Sequence, residues 1–151
     1  QRKRVSIGLE LAADPSICFL DEPTSGLDAS SSLAVIGSLR RMARIGMTCA
    51  MVIHQPRYSL FAMFDLIILL GKGGRTVYQG TPRGAQSYFE KLGYVMPARE
   101  NPADWLMDVI AGDIQNSAGI KPEMLPHLWN TRYERQHTAE ELGEEEEEEM
   151  V

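Results

Sequence analysis

The chain has 151 residues, of which 44% are apolar and 24% charged, and its formal net charge is -6. This is the composition of a soluble protein with one modest core. Neither a membrane span nor a secretory signal is expected within these residues, because every apolar run is shorter than the about 18 residues that a span requires. The acidic balance is local, since 8 of the 21 acidic residues lie between Glu140 and Glu149. The rest of the chain has 13 acidic residues and 15 Lys and Arg, so it is close to neutral. Its one short basic cluster is at residues 2 to 4. No nucleic-acid partner is therefore expected.

A short buried strand is predicted near the start of the chain. Residues 5 to 13 have helical apolar spacing and end before Pro15. The apolar run Ser16 to Leu20 then fits a strand that is covered on both faces, as in a parallel sheet. This strand delivers two adjacent carboxylates, Asp21 and Glu22, at its carboxyl end.

A helix and a second strand are predicted to follow. Asp28 fits the N-cap of a helix that stops at Gly46. Met47 to Ile53 repeats the buried-strand pattern and leads into His54 and Gln55. In a right-handed parallel strand-helix-strand unit, the carboxyl ends of both strands lie at one edge of the sheet. The sequence therefore predicts that His54 lies beside the two acids.

The remainder of the chain is predicted to contain a hairpin and further helices. The predicted elements are a short helix at 58–64, strands at 66–70 and 76–78, and helices that begin at Thr81 and Asn101. The glycine-rich stretch Gly71 to Gly74 fits the turn between the strands. Beyond Gly112 the periodicity fades, and the scattered apolar residues Leu125, Leu128 and Trp129 indicate a loosely ordered connector. The glutamate run after it is expected to be a solvated, disordered tail.

Asp21 and Glu22 are the first candidates for chemistry. Two carboxylates at the end of a buried strand are costly unless a cation compensates, because desolvation and mutual repulsion oppose ionisation. A magnesium ion with a bound polyphosphate supplies that compensation, with Asp21 on the metal side and Glu22 as general base. At the same edge, His54 can contact a γ-phosphate. The alternative is that one acid caps the next turn and the other is exposed, and that His54, taken alone, is a structural residue at a strand end.

Other reactive side chains are assigned structural roles. Cys18 and Cys49 stand in apolar stretches without a C-x-x-C or Cys/His cluster. Reduced, buried thiols are therefore expected, rather than a disulfide or a metal site. His127 and His137 lie in weakly patterned sequence and are expected to be exposed.

Three motifs follow one another in a family order. The string from Ile17 to Asp28, ICFLDEPTSGLD, resembles the Walker B strand, catalytic glutamate and D-loop of an ATP-binding cassette. His54 matches the switch histidine of that family, and Gln1 to Ser6 resembles the end of its signature motif. The resemblance implies that the cofactors are ATP and Mg²⁺, and that Glu22 and His54 are catalytic. It also implies that Asp21 holds Mg²⁺ through water.

The resemblance further implies contacts with a second cassette. The residues that would form the cross-dimer D-loop are Ser25, Gly26, Leu27 and Asp28. Gln1, at the end of the signature motif, would face nucleotide held by the partner. The family arrangement implies a homodimer, a heterodimer or two cassettes in one long chain, together with a transmembrane domain.

Later strings indicate the subfamily. His54 to Arg57 (HQPR), Gly74 to Gly80 (GRTVYQG) and Asn101 to Trp105 (NPADW) are similar to the G subfamily, the white and pleiotropic-drug-resistance type. The resemblance covers residues 1 to 112 as the C-terminal half of the nucleotide-binding domain, followed by a linker and acidic tail at 113 to 151. It implies an α/β fold: a partial P-loop NTPase-type cassette with a mostly parallel sheet, flanking helices and a terminal hairpin.

The sequence departs from the family in its phosphate loop. No G-x-x-x-x-G-K-[ST] motif occurs, and Gly71 to Gly74 lacks both the glycine spacing and a Ser or Thr after Lys72. That loop supplies most of the groups that hold the β- and γ-phosphates. The chain on its own is therefore expected to bind ATP poorly, to be inactive in hydrolysis, and to be soluble or prone to aggregate.

Three functions compete. The favoured one is the ATP-hydrolysing cassette of a transporter, held at the cytosolic face of a membrane by a transmembrane domain outside these residues, with a lipid or hydrophobic substrate. The second is a catalytically dead interaction or regulatory module that kept the dimer-forming surface. The third is a non-transport cassette ATPase of DNA repair or translation, which the NPADW string disfavours.

Overall fold

The structure is a computed structural model that describes Gly8 and residues 15–141, with side chains described as far as Tyr133. The predicted helix at 5–13 lies outside the described residues except for Gly8, and Gln1 lies outside them entirely. The chain divides into two compact units, the N-terminal unit (Gln1–Phe64) and the C-terminal unit (Asp65–Val151).

The described part of the N-terminal unit alternates strands and helices. In chain order its elements are β1 (Ile17–Asp21), α1 (Ala29–Arg44), β2 (Thr48–Val52) and α2 (Tyr58–Phe61). The two strands pair in parallel, with Ile17 opposite Thr48 and Asp21 opposite Val52. The predicted parallel strand-helix-strand unit is therefore confirmed, and both strands end at the same edge.

Local chemistry sets the limits of α1. The Asp28 carboxylate accepts a hydrogen bond from the Ser31 N–H and so caps the first turn, as predicted. The helix ends at Arg44 with Ile45 as its C-cap, and Gly46 follows with a φ of 110°, a conformation that glycine adopts freely. Between these ends, helical spacing places the buried side chains of Val35 and Leu39 on one face.

Only one face of the strand pair is covered by α1. A buried cluster forms around α1 and α2, and Leu20, Cys49 and Met51 pack against it from the strands. Side chains alternate along a strand, and those on the other face are exposed: Phe19 is 81% exposed, and Val52 is 64% exposed. The expectation that β1 is buried on both faces is thus wrong for this chain, because no described element covers the second face.

The described part of the C-terminal unit consists of a hairpin, three helices and a 3₁₀ turn before the last helix. Its elements are β3 (Ile67–Leu70), β4 (Thr76–Gly80), α3 (Pro82–Lys91), α4 (Pro102–Ala111), a 3₁₀ turn (Pro122–Met124) and α5 (Leu125–Glu141). The two strands are antiparallel and are joined by a 3₁₀ turn at Lys72–Gly74, so the predicted hairpin is confirmed. The predicted helix starts are confirmed as well, because Thr81 and Asn101 cap α3 and α4 through their side-chain oxygens.

Aromatic side chains form the core of this unit. Phe89 and Trp105 are fully buried, with ring centroids 6.4 Å apart and nearly perpendicular planes. The Trp129 ring, on α5, lies 5.2 Å from Tyr78 and 5.4 Å from Tyr88. Strand β4 and the helices α3, α4 and α5 thus contribute to one continuous aromatic cluster.

The loosely ordered connector predicted after Gly112 is replaced by structure over much of its length. Leu125, Leu128 and Trp129 have the i, i+3, i+4 spacing of one helical face, and Leu125 is fully buried. Pro126 is the second residue of α5, where a proline costs no helical hydrogen bond. The prediction went wrong because three apolar residues are a short sample of the helical period. The glutamate run from Glu144 lies outside the described residues.

Candidate functional site

A cavity of about 310 Å³ opens in the N-terminal unit where the two parallel strands end. Its lining comes from the turn after β1, the first turns of α1, the loop after β2 and α2: Glu22, Thr24, Ser25, Leu27, Asp28, Ala29, Ser32, His54, Gln55, Pro56, Arg57, Ser59 and Leu60. Most of these side chains are polar or charged. The structure thus places the predicted residues Glu22, His54, Ser25, Leu27 and Asp28 around one cavity.

The parallel pairing continues beyond Asp21 and positions Glu22. The Glu22 N–H donates a hydrogen bond of 2.9 Å to the Val52 carbonyl, so the backbone after β1 remains attached to the end of β2. Glu22 itself has a φ of 43°, in the left-handed region. The chain therefore turns sharply at Glu22, and a second hydrogen bond, from the Ser25 N–H to the Glu22 carbonyl at 3.1 Å, closes the turn.

Asp28 is a fixed negative charge at the cavity. The Ser30 hydroxyl and the Ser31 N–H each donate to Asp28 Oδ1 at 2.7 Å, and the Ser31 hydroxyl donates to Oδ2 at 3.0 Å. These hydrogen bonds stabilise the carboxylate and lower the pKa of Asp28 to about 2. Asp28 is therefore ionised throughout the physiological pH range, and most of its acceptor capacity is used in capping α1.

Two other predicted residues are placed next to the cavity but do not line it. Asp21 is the last residue of β1 and is exposed; strand alternation puts it on the same side as Phe19, away from α1. Gly26 lies in the turn between Glu22 and Asp28, with a φ of 72° that suits glycine. Asp21 and Glu22 are thus adjacent in sequence but point to different sides of the strand pair.

Gln55 and Arg57 also line the cavity, although sequence reasoning gave them no chemical role. Gln55 has a φ of 45°, and both side chains are exposed. The sequence pattern indicates only that Gln55 lies at a strand end and that Arg57 belongs to a string similar to the G subfamily. Their position directly after His54 was the available signal, because residues that follow a parallel strand share its functional edge. Ser32 and Ser59 carried no such signal, since hydroxyls near helix starts are commonly capping groups.

The remaining candidate residues have structural surroundings. Cys18 and Cys49 are register partners across β1 and β2, and both thiols are free. Cys18 is buried and Cys49 is partly buried, with its Sγ 3.8 Å from the Leu39 carbonyl. Burial is the main cause that raises the pKa of the Cys49 thiol, and the nearby Cys18 is the second cause. His127 is exposed, as predicted, and the side chain of His137 lies outside the described part of the chain.

Glu22 and Asp28 are the two carboxylates that line the cavity, and Asp21 lies outside it. Among the described residues, no group of three or more His, Cys, Asp or Glu side chains gathers at a place that would hold a metal ion.

In the part of the chain that the structure describes, no helix combines the length and apolarity needed to cross a membrane.

Comparison with known proteins identifies the family. A family profile described as ABC-2 type transporter matches residues 54–149. The chain therefore belongs to the ABC-2 type transporter family. It is also similar to several proteins of the G subfamily of ATP-binding-cassette transporters, so the predicted kinship with that subfamily is confirmed at this level.

Three relatives illustrate the similarity. "ABC transporter G family member 28" of Arabidopsis thaliana is 49% identical over 131 residues, covering 85% of this chain. "Broad substrate specificity ATP-binding cassette transporter ABCG2" of Sus scrofa is 51% identical over 113 residues, covering 75% of this chain. "ABC transporter G family member 2" of Dictyostelium discoideum is 46% identical over 127 residues, covering 81%. The matched segments make up 12%, 17% and 10% of these relatives, respectively, so the chain spans a small part of their length.

Proposed function

We propose that this chain is the C-terminal half of the nucleotide-binding domain of a G-type ATP-binding-cassette transporter, and that its N-terminal unit supplies part of an ATP-hydrolysis site. The observation that carries the proposal is the cavity, because residues from both strand ends meet there. Glu22 follows β1 and His54 follows β2, and Asp28 lies at the start of the helix between them. Ligand sites in open parallel sheets lie at this edge.

The uncovered face of the strand pair supports the proposed fold. Ile17, Phe19 and Val52 are all more than half exposed, and a parallel sheet is normally covered on both faces. We assign the chain to an α/β, P-loop NTPase-type cassette in which residues 1–112 belong to the nucleotide-binding domain and 113–151 to a linker and acidic tail. Helices of the rest of the cassette would then cover the exposed face, and further strands with the phosphate loop would extend the sheet at its edges.

Within this proposal each site residue has a distinct role. Asp21, on the outer side, binds the Mg²⁺ of Mg-ATP through water. Glu22 accepts a proton from the attacking water, and His54 contacts the γ-phosphate. The residues proposed to contact the second cassette are the D-loop residues Ser25, Gly26, Leu27 and Asp28, and Gln1 of the signature end.

The transport function is proposed from the kinship with G-subfamily proteins. ATP hydrolysis in the cassette would drive movement of a lipid or other hydrophobic substrate through a transmembrane domain in another part of the protein. The cassette would lie at the cytosolic face and work with a second cassette, in a homodimer, a heterodimer or one long chain.

The test is a Glu22→Gln substitution in the full-length transporter that carries this segment. The substitution keeps the size and hydrogen-bonding capacity of the side chain but removes the base, so the hydrolysis rate should fall by about 10²–10⁴. Mg-ATP binding should be retained, because Asp21 is unchanged. Glu123→Gln is the matched control, since Glu123 is an exposed glutamate of the C-terminal unit.

The outcome also separates the competing functions. Near-wild-type hydrolysis in Glu22→Gln would remove Glu22 as the base. A wild-type protein that binds Mg-ATP without hydrolysing it would instead identify the catalytically dead module. If reconstitution into membranes leaves the hydrolysis rate unchanged and no hydrophobic probe is transported, a non-transport cassette ATPase would be favoured.

A further inference from the structure

Gln55 and Glu22 share an uncommon backbone conformation. Their φ values are 45° and 43°, and among the described residues Arg99 is the one other non-glycine residue with positive φ. A side chain with a Cβ disfavours this region, so such a residue persists only where its surroundings hold it. Residues of this kind are concentrated at functional sites.

The two residues also lie in the loops that follow the two paired strands. Glu22 directly follows β1, and Gln55 lies three positions after the end of β2. Both line the cavity at the carboxyl ends of this parallel pair. His54, one position before Gln55, lines the same cavity. The loops after both strands therefore turn sharply into the same space.

The side-chain amide of Gln55 has no other visible task. In the part of the structure with described side chains, no hydrogen bond engages it, and the residue is exposed rather than packed in the apolar cluster. An amide carries both donors and an acceptor, and it does not titrate near neutral pH. In phosphoryl transfer, a glutamine with these properties can orient the attacking water without exchanging a proton.

We propose that Gln55 is a positioning residue for the water that attacks the γ-phosphate. This inference rests on the proposed function as an ATP-hydrolysis site. The water oxygen forms the new bond to the γ-phosphorus, the bond from that phosphorus to the β-γ bridging oxygen breaks, and ADP leaves. Glu22 takes the proton of the water. The side-chain oxygen of Gln55 accepts a hydrogen bond from that water, or its amide N–H donates one to it. Gln55 neither gains nor loses a proton.

The test separates the side chain of Gln55 from its backbone conformation. In the full-length transporter, Gln55→Gly and Gln55→Asn both suit a positive φ, because glycine adopts it freely and asparagine is enriched there. A role for the backbone alone predicts that both variants keep the wild-type kcat. A role for the side chain predicts that both lower kcat by about 10- to 100-fold, since the glycine lacks the amide and the asparagine places it one methylene short. The KM for Mg-ATP should stay unchanged, because the interaction is made in the transition state.

Arg99→Gly is the matched control. It relieves a positive φ of 71° in the C-terminal unit and touches none of the proposed machinery, so kcat should be unchanged. Melting temperatures of all variants should be measured beside the kinetics. The Gln55 variants are expected to melt at or above the wild-type temperature, because both replacements favour the observed backbone conformation.

Each other result overturns the inference in an identifiable way. Wild-type kcat in both Gln55 variants would show that the side chain does not position the water. A raised KM with an unchanged kcat would make Gln55 a nucleotide-binding residue, and lowered melting temperatures in both variants would make its role structural. In these cases a loss of hydrolysis in Glu22→Gln leaves the proposed function standing. Full hydrolysis in Glu22→Gln would remove the proposed function, and this inference with it.

Discussion

Strand β1 of the N-terminal unit and strand β4 of the C-terminal unit differ in how they are covered. In the N-terminal unit, Phe19 of β1 is 81% exposed, although its neighbour Cys18 is buried. In the C-terminal unit, Val77 and Tyr78 of β4 are both buried, because α5 packs on that strand and Trp129 lies over Tyr78. Whether a strand is buried therefore depends on the elements that pack against it. The apolar pattern of the strand alone does not show whether such an element is present.

The largest expected effect contrasts two phenylalanines. Phe89 is fully buried among Tyr88, Tyr94 and Trp105, whereas Phe19 is 81% exposed. Phe89→Ala should lower the free energy of unfolding of the C-terminal unit by about 3–5 kcal/mol, because it removes apolar contacts and leaves a cavity. Phe19→Ala in this chain should change the free energy of unfolding of the N-terminal unit by about 0.5 kcal/mol or less, because the exposed ring has few contacts to lose.

Denaturant unfolding followed by tryptophan fluorescence measures the effect of Phe89→Ala, and amide hydrogen exchange along β1 and α1 measures the effect of Phe19→Ala. Both tryptophans of the chain, Trp105 and Trp129, belong to the C-terminal unit, so the signal reports on that unit. Equal losses in the two variants would show that the face of β1 bearing Phe19 is covered in solution, and would break the comparison between the units.

The next effect is the response of the C-terminal unit to alkaline pH. Burial raises the pKa of Tyr78, Tyr88 and Tyr94 above the usual 10.0, so the folded state disfavours their ionisation. The stabilisation is complete below about pH 10 and is lost as the pH rises through the folded-state pKa values. A cooperative unfolding transition, followed by tryptophan fluorescence, is therefore expected in alkaline solution, and all three ionisations should contribute to it.

Tyr88→Phe sharpens this prediction. Within the described residues the Tyr88 hydroxyl is buried without a hydrogen-bond partner, so its removal takes away both an ionisable group and an unpaired polar atom. The alkaline midpoint of the C-terminal unit should rise in this variant. Tyr58→Phe serves as the control, because Tyr58 is 62% exposed and belongs to the N-terminal unit. A shift of equal size in the control would contradict burial as the cause.

Sequence reasoning succeeded where a short-range interaction decides the structure. Asp28 caps α1 and Gly46 follows its end, and both signals lie within a few residues of the helix. It failed where packing decides, as at Phe19, whose exposure depends on what lies over β1. It also failed at Leu125, because only three apolar residues show the helical period of α5, and because that helix packs on β4, which is distant in sequence.

The candidate site shows the same division. The strand-helix-strand pattern was sufficient to predict that Glu22 and His54 meet at one edge, because the carboxyl ends of two parallel strands lie at the same edge. It did not predict that Asp21 points away from the cavity, which requires knowing the side on which α1 packs. The positive φ of Gln55 was not predictable either, because glutamine carries no preference for it.

A smaller effect is expected at the glycine that ends α4. Gly112 has a φ of 93°, and a Cβ there would lie 2.7 Å from Pro122 Cγ. Gly112→Ala should destabilise the C-terminal unit by about 1–2 kcal/mol from the backbone conformation, with a further loss as Pro122 is displaced. Gly119→Ala is the control, because Gly119 also has positive φ, at 67°, but a Cβ there meets nothing within 4 Å. Equal losses in thermal unfolding of the two variants would mean that the 3₁₀ turn yields without cost.

The smallest effect has the opposite sign and concerns α1 of the N-terminal unit. Gly37 lies inside the helix, and a Cβ there would lie 3.9 Å from both Arg41 and Met63, an ordinary contact distance. Gly37→Ala should therefore stabilise α1 by about 0.5–1 kcal/mol, because alanine loses less backbone entropy in a helix. Ala34→Gly, at an exposed position of the same helix, should cost a similar amount. Amide hydrogen exchange along α1 measures both changes. Slower exchange in Gly37→Ala is expected if the side of α1 near Met63 has room for a methyl group; faster exchange would show that this unit is as closely packed as the aromatic core of its neighbour.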